Sequence, residues 1–432
     1  MIVRAGLREA LAMALFCGST SLSADDWLGW RGSRHDDVST ESSGWNGERW
    51  LSEAPSWTIE TGRGATAPIA AGDRVWTFGR TEHEEQILCL EARDGRVLWR
   101  QAYEAPERGR YATGDESFYD GPSATPSLDP ATDSLLTLGI DGQLKAWSAT
   151  SGDKRWEIDL YEKYAADQRP RVGRQGRRDY GYTGSPLILG DAAIVEVGSP
   201  DGNLMAFALN DGRRLWKSES TDPAGHSGGP VPITVEGRQA VAVLTLHGLI
   251  VVRAEGREAG ATLATFPWET DFGNNIPTPT VIGNQVLITS KYNRNAMVKL
   301  RIDRSGATEV WRSDAASGVC SPIVRDGRIW IAEHRIHAVD LATGRTIFSG
   351  GRLGDAGSGI LTADDKLIVW GGKGTLSLID VSPDLVEFRE LDRREFDAPS
   401  DTWPHVVLSN GRLLLRTREG TLHCYATIGS AE

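Results

Sequence analysis

The sequence predicts an all-β protein: an eight-bladed β-propeller of four-stranded antiparallel blades, closed by an N-terminal strand. Three observations lead there. A glycine–aromatic string recurs along the chain, an anchor motif returns with a period near 40–45 residues, and a blade lacking its outer strand at one end matches a spare strand at the other. The composition agrees. With 49 Gly, 19 Pro and 15 Trp in 432 residues, the chain has the turn formers that many short strands require. A hydrophobic fraction of 40% with 25% charged residues excludes collagen-like, disordered and multi-span membrane classes.

The first string ends LEARDGRVLW at Trp99, and its copies are WSATSGDKRW at Trp156, FALNDGRRLW at Trp216 and VDLATGRTIF at Phe348. In each, an apolar strand leads into a polar turn, and the aromatic stands four residues after the Gly, on the next strand. Looser copies end at Trp268, Trp311 and Phe388. Recurrence of Trp57, Trp99, Trp156, Trp216, Trp268 and Trp311 at one repeat position marks them as packing residues between sheets rather than a ligand cage.

Upstream of each string is a small polar residue and usually a Pro, then a few apolar residues, a Gly/Asp/Asn turn and an alternating apolar strand. The anchors are Pro68, Pro126, Pro186, Pro230, Pro279, Pro322, Ile360 and Pro404. Five of the seven intervals run 38 to 49 residues, and the first two are lengthened by insertions. A period of this size with four strands per unit is that of a propeller blade. The last unit, from Thr402 to Tyr425, ends without a Trp-bearing strand, while SWTIE at residues 56–60 precedes the first unit. Trp57 stands eleven residues before Pro68, as Trp268 does before Pro279 and Trp311 before Pro322. Trp57 is therefore assigned to the outer strand of the last blade, which gives eight blades; degenerate copies in the middle and near Ile360 leave seven as the alternative.

Residues 1–24 read as an export signal: Arg4 and Arg8, an apolar stretch from Ala10 to Cys17, then small residues at Ser21, Ser23 and Ala24. That stretch is shorter than the roughly twenty residues a spanning helix needs, and no later run is long and apolar enough. Residues 25–55 form an opening segment, 56–426 the propeller and 427–432 a tail, and the expected location is periplasmic or secreted. Cys89, Cys320 and Cys424 remain after the signal. Cys89 and Cys424 hold equivalent places in sheets about 10 Å apart, too far for a disulfide, and read as core residues. The formal charge of −12 argues against general affinity for nucleic acid, whose phosphates are neutralised by Lys and Arg.

These strings resemble the L-x-A-x-x-G-x-x-x-W repeat of PQQ-like, quinoprotein-type propellers, a family that holds pyrroloquinoline-quinone alcohol dehydrogenases and the non-catalytic outer-membrane assembly lipoprotein BamB. The likeness covers Trp57 to Tyr425, and the opening WLGWRGSRHDDVS, residues 27–39, is similar to the start of secreted bacterial proteins with these repeats. For the enzymes the resemblance implies a quinone held with Ca²⁺ by carboxylate and amide ligands, beside adjacent cysteines and a catalytic Asp. This chain has no adjacent cysteines and no C-x-x-C-H haem site. Since repeat residues serve catalytic and non-catalytic members alike, the likeness carries fold rather than activity.

In such a ring, the loops entering the innermost strands open on one face with those joining second to third strands, and that face is the expected ligand site. The entering loops bring Tyr119, Asp120, Tyr182, His226, Asn275 and Trp403 to the channel mouth. The other set adds a basic collar of Arg80, Lys291, Arg294, His334, Lys373 and Arg418. Cations and aromatics together suit an anionic or planar ligand. His226 and Asp120 are a conceivable acid and base, but no nucleophile or metal spacing accompanies them. The insertion DQRPRVGRQGRRDY, residues 167–180, carries five Arg that suit an acidic partner. The expected function is a non-catalytic exported scaffold that binds an envelope or secreted protein, or a small anionic or planar ligand, with no cofactor. The alternatives are a PQQ-dependent oxidoreductase and a carbohydrate-binding propeller that uses Trp403 and Tyr182 as stacking platforms.

Overall fold

The computed structural model describes residues 26–106, 120–167, 171–172, 176–177, 180–271, 273–354 and 357–428, with 171–172 and 176–177 as backbone alone. The expected signal at 1–24, Tyr119 and most of the Arg-rich insertion lie outside these residues. Eight four-stranded antiparallel sheets form the ring. Seven are contiguous in sequence, beginning with Ile69–Ala71, Arg74–Thr81, Glu84–Glu91 and Val97–Glu104. The eighth combines Val407–Ser409, Arg412–Arg416 and Thr421–Ala426 with Trp57–Glu60. Trp57 lies opposite Cys424 and Glu60 opposite Thr421. The closure expected from the spacing of Trp57 is thus present, and it removes the edge strand that an open ring would expose.

The innermost strands are short and touch their neighbours around the hub, blade one against blade eight included. Second and third strands are almost wholly buried, as in RVWTFGRT and GNLMAFA, because the two faces of a blade are covered by its two neighbours. All three described cysteines are free and buried, Cys89 and Cys424 within these sheets and Cys320 in the turn before Ile323–Arg325.

In the seven contiguous blades the outermost strand pairs with a register shift at one fixed place, for example between Cys89 and Leu90 and between Ala146 and Trp147. The bulge turns the next large side chain toward the following blade. Trp57, Trp99, Trp156 and Trp311 then make one repeated dock. Each indole N–H donates to a carbonyl of the next blade's outer turn: Ala92 at 2.9 Å, Ala149 at 3.1 Å, Leu209 at 2.8 Å and Leu341 at 3.1 Å. Each ring is covered by that turn's glycine. A Cβ on Gly95, Gly152, Gly212 or Gly344 would come within 2.6 to 2.8 Å of it.

Two of the looser copies are corrected. Trp268 does not hold the repeat position, since Ala264 takes it opposite Val251 and Trp268 follows the strand, fully buried between Arg294 and Arg312. In blade seven the position falls to Asp392 opposite Leu378, and Phe388 lies in the preceding turn against Gly350 and Gly351. The aromatic missing there comes from the opening segment: Trp50 is fully buried and donates to Asp392 Oδ2 at 2.8 Å.

Candidate ligand-binding site

The opening segment closes the axial channel from one face. Trp27 bridges to Ala70, the carbonyl of Leu28 accepts from the Leu128 N–H, and Val38 bridges in parallel to Leu361, all on innermost strands. The segment leaves over the inner turns, where Glu41 accepts from the N–H groups of Asn410 and Gly411 and Ser43 donates to Asp364. Between entering and leaving, the loop from Trp30 to Asp37 reaches up the hub. Arg31, His35 and Asp37 hold positive φ there, a conformation that persists only where its surroundings enforce it.

A buried ion cluster supplies the enforcement. Arg31, 1% exposed, meets Asp37 Oδ2 at 2.5 Å through Nε. Its other nitrogens donate to Thr280 Oγ1 at 3.2 Å and to the carbonyls of Pro279 and Pro322 at 3.3 and 3.0 Å. His405 Nε2 lies 3.0 Å from Asp37 Oδ1, and its Nδ1 2.6 Å from the Val406 carbonyl. Burial alone would raise the Asp37 carboxyl, but Arg31 and His405 outweigh it and hold it below the usual carboxylate range. Trp30 stands beside this cluster, its indole donating to Thr278 Oγ1 at 2.8 Å.

Above Trp30 remains a blind pocket of about 210 Å³. The turns of all eight blades reach it, from Ala65 of the first through Asp120, Thr183, His226, Asn274, Cys320 and Ser358 to Trp403 of the last. Tyr180 and Tyr292 add aromatic wall. Arg418 lies over the Trp403 ring at 4.6 Å, and both face the pocket. Asp120 is bound by Arg63 at 2.5 Å and Arg80 at 3.2 Å. His226 meets Asn274 Oδ1 at 3.1 Å and stands edge-on to Tyr180 at 5.0 Å. Beneath the rim, the fully buried Arg416 donates to the carbonyls of Gly62, Gly64 and Thr66. Burial lowers its guanidinium to about 10. The pocket therefore sits in a cationic surround on an acidic molecule.

A family model described as outer membrane protein assembly factor BamB matches residues 83–349. The chain belongs to this family of PQQ-like propellers. The solved BamB of Moraxella catarrhalis superposes with a TM-score of 0.60 at 14% identity, covering 87% of this chain and 99% of that one. Quinohemoprotein alcohol dehydrogenase of Comamonas testosteroni gives 0.60 at 12% identity, covering 94% and 81%. At such identities the likeness is one of fold. Quinohemoprotein alcohol dehydrogenase ADH-IIG of Pseudomonas putida is 25% identical over 186 residues, 42% of this chain and 22% of that protein. The putative dehydrogenase XoxF of Paracoccus denitrificans is 25% identical over 177 residues, 39% and 26% respectively. The matched segments span only about a quarter of these curated relatives.

Against that family background the residues do not fit a Ca²⁺-bound quinone. Ca²⁺ takes six to eight oxygen ligands. Among the described residues no three Asp, Glu, His or Cys converge, and Asp120, the carboxylate of the described lining, is already shared by two guanidiniums.

Of the expected site residues, the structure brings Asp120, His226, Trp403 and Arg418 together on the pocket. Asp120 and His226 have different partners and form no acid–base pair. Tyr182 is core: 2% exposed, donating to the Val197 carbonyl at 2.7 Å and packed on Tyr161. Asn275 is fully buried and donates to the carbonyls of Thr245 and Trp268. Arg294 is spent on the Glu269 carbonyl and Trp268, Lys291 faces Glu333 at 3.7 Å, and Lys373 is exposed; none of the three lines the pocket. Sequence reading missed Trp30, Arg31 and Asp37, which lie in the opening string, and His405, which follows the Pro404 anchor.

Proposed function

We propose that this chain is an exported, non-catalytic binding module of the cell envelope, with the blind axial pocket as its recognition site for a flat, anionic group. That group belongs to a small ligand or to the tip of a protein partner seated on the rim. The observation that carries the reading is the pocket itself: its floor is the chain's own Trp30, its walls come from every blade, and its ionisable side chains hold the walls in place. Trp403 and Arg418 supply a stacking plane and a charge at the mouth, and Tyr292, 38% exposed, stands at the rim. The family's description as an outer-membrane assembly factor supports a protein partner at the envelope, and no helix among the described residues is long and apolar enough to cross a membrane.

A photo-crosslinker placed at Tyr292 should give one discrete adduct with an envelope protein or a small-molecule ligand, at least tenfold weaker in Arg418→Glu. The purified chain, incubated with the quinone and Ca²⁺, should oxidise no alcohol or sugar with an electron-accepting dye. Turnover in that assay, or the absence of any Arg418-dependent adduct, overturns the reading. The carbohydrate alternative loses one of its two platforms, because Tyr182 is interior.

A further inference from the structure

One Trp at the repeat position makes no dock. Trp216 holds the repeat position in blade three, opposite Ala206, as Trp156 does opposite Ala146 in blade two. By analogy with its copies its N–H should reach the Ala254 carbonyl, and a glycine of blade four should cover its ring. Neither contact exists. The outer turn of blade four is lengthened across 254–260, where hydrogen bonds from Gly260 N–H to the Arg253 carbonyl and from Ala259 N–H to the Gly256 carbonyl redirect it. A Cβ on Gly256 would meet nothing within 4 Å. The Trp216 indole N–H meets no acceptor among the described residues. Left between the blades is a groove of about 500 Å³, lined by Leu215 and Trp216 on one wall and by Asp191, Glu255 and Arg257 among its polar groups. It lies at the outer rim beside the turns joining first to second and third to outer strands, on the face opposite the axial pocket. Leu215 is 37% exposed there.

We propose that this groove receives a glycine-bearing turn of a partner polypeptide, with a basic residue beside the glycine. The proposal rests on the reading of the chain as a binding scaffold and adds a second contact surface to it. The four completed docks define the occupant. Each presents one main-chain carbonyl 2.8 to 3.1 Å from the indole nitrogen and a residue without a Cβ against the ring. Three of those turns read Gly-Arg: Gly95-Arg96, Gly212-Arg213 and Gly344-Arg345. Asp191 and Glu255 against the single Arg257 give the groove a charge that complements such a residue. A glycine turn fits because the indole face admits backbone but no side chain, and the carbonyl satisfies a donor otherwise left to water.

The test uses a cyclised hairpin peptide carrying Leu-Asn-Asp-Gly-Arg, the sequence of residues 209–213 that covers Trp156, titrated calorimetrically into the full chain. Saturable one-site binding is expected, weakened at least tenfold by Gly→Ala in the peptide. Trp216→Phe, which keeps a ring and removes the donor, and Glu255→Lys should each weaken it several-fold with unchanged thermal melting. No saturation at millimolar peptide, equal binding of the Gly and Ala peptides, indifference to both protein variants, or displacement of the peptide by an oligosaccharide panel overturns the proposal. Loss of peptide binding with the Tyr292 adduct intact defeats this inference alone; the reverse defeats the pocket reading alone.

Discussion

Trp57 and Cys424 stand opposite one another in the eighth sheet, and the same Trp57 donates at 2.9 Å to the Ala92 carbonyl of the first. One side chain from the front of the polypeptide thus joins the last blade to the first. Trp57→Ala removes a 7%-exposed indole and its hydrogen bond, and the expected loss is about 3–5 kcal/mol of unfolding free energy. Urea denaturation measures it; a loss under about 1 kcal/mol would mean the ring is held by other means.

The Arg31–Asp37 pair has side chains 0% and 2% exposed. Asp37→Ala leaves the guanidinium buried without its counter-charge, and about 3–5 kcal/mol of stability should go with it. The double variant Arg31→Met with Asp37→Leu should lose less than the single change. A double-mutant cycle that gives simple additivity would count against a coupled cluster.

Glu85 provides a pH signature. Burial pushes its carboxyl up to about 7, despite hydrogen bonds donated by the Ile140 N–H at 2.9 Å and the Tyr103 hydroxyl at 2.8 Å. The folded state therefore holds this proton more tightly than the unfolded chain, whose carboxyl titrates near 4.5. Stability from this group is fully present below about 4.5 and is lost as pH rises through about 7, by ~3 kcal/mol in all. The difference between wild type and Glu85→Gln, followed by urea midpoint from pH 4 to 8, should show that slope; parallel curves would show that the group is not perturbed.

Much of this ring is legible in the sequence because its repeat is local. Strand, turn, glycine and aromatic lie within ten residues, so Trp99 and Trp156 can be placed by counting, and the spacing of Trp57 reveals the closure. Counting fails where an insertion shifts the pairing. Trp268 has a credible distance from its Pro anchor, but the bulge of its blade puts Ala264 opposite Val251 and Ala264 takes the place. The site was legible only in part. Asp120, His226, Trp403 and Arg418 lie in loops whose face follows from the topology, whereas Tyr182 and Asn275, in the same loops, turn inward to satisfy buried carbonyls. The pocket floor had no local signal at all, since Trp30 finds its partner 248 residues away and Glu41 finds one 369 away.

Two glycines separate docking from backbone strain. Gly152 and Gly256 both hold positive φ, at 77° and 74°, so replacement by Ala strains each by about 1 kcal/mol or more. Only at Gly152 would the new methyl also strike Trp99, at 2.7 Å. Gly152→Ala should therefore cost a further ~1–3 kcal/mol over Gly256→Ala. Thermal melting compares them, and equal losses would argue that the indole contact is soft.

Because residues 27–57 complete the hub and the final blade, the molecule is made in an awkward order. The stretch made earlier has its seats among residues made about 370 positions later. A growing polypeptide can stack its middle blades as they appear, yet it cannot close the ring until Thr421–Ala426 has been made. Until then the face of the first blade that packs on the eighth needs shielding, and residues 27–57 have to wait, unplaced, for the strands that seat them.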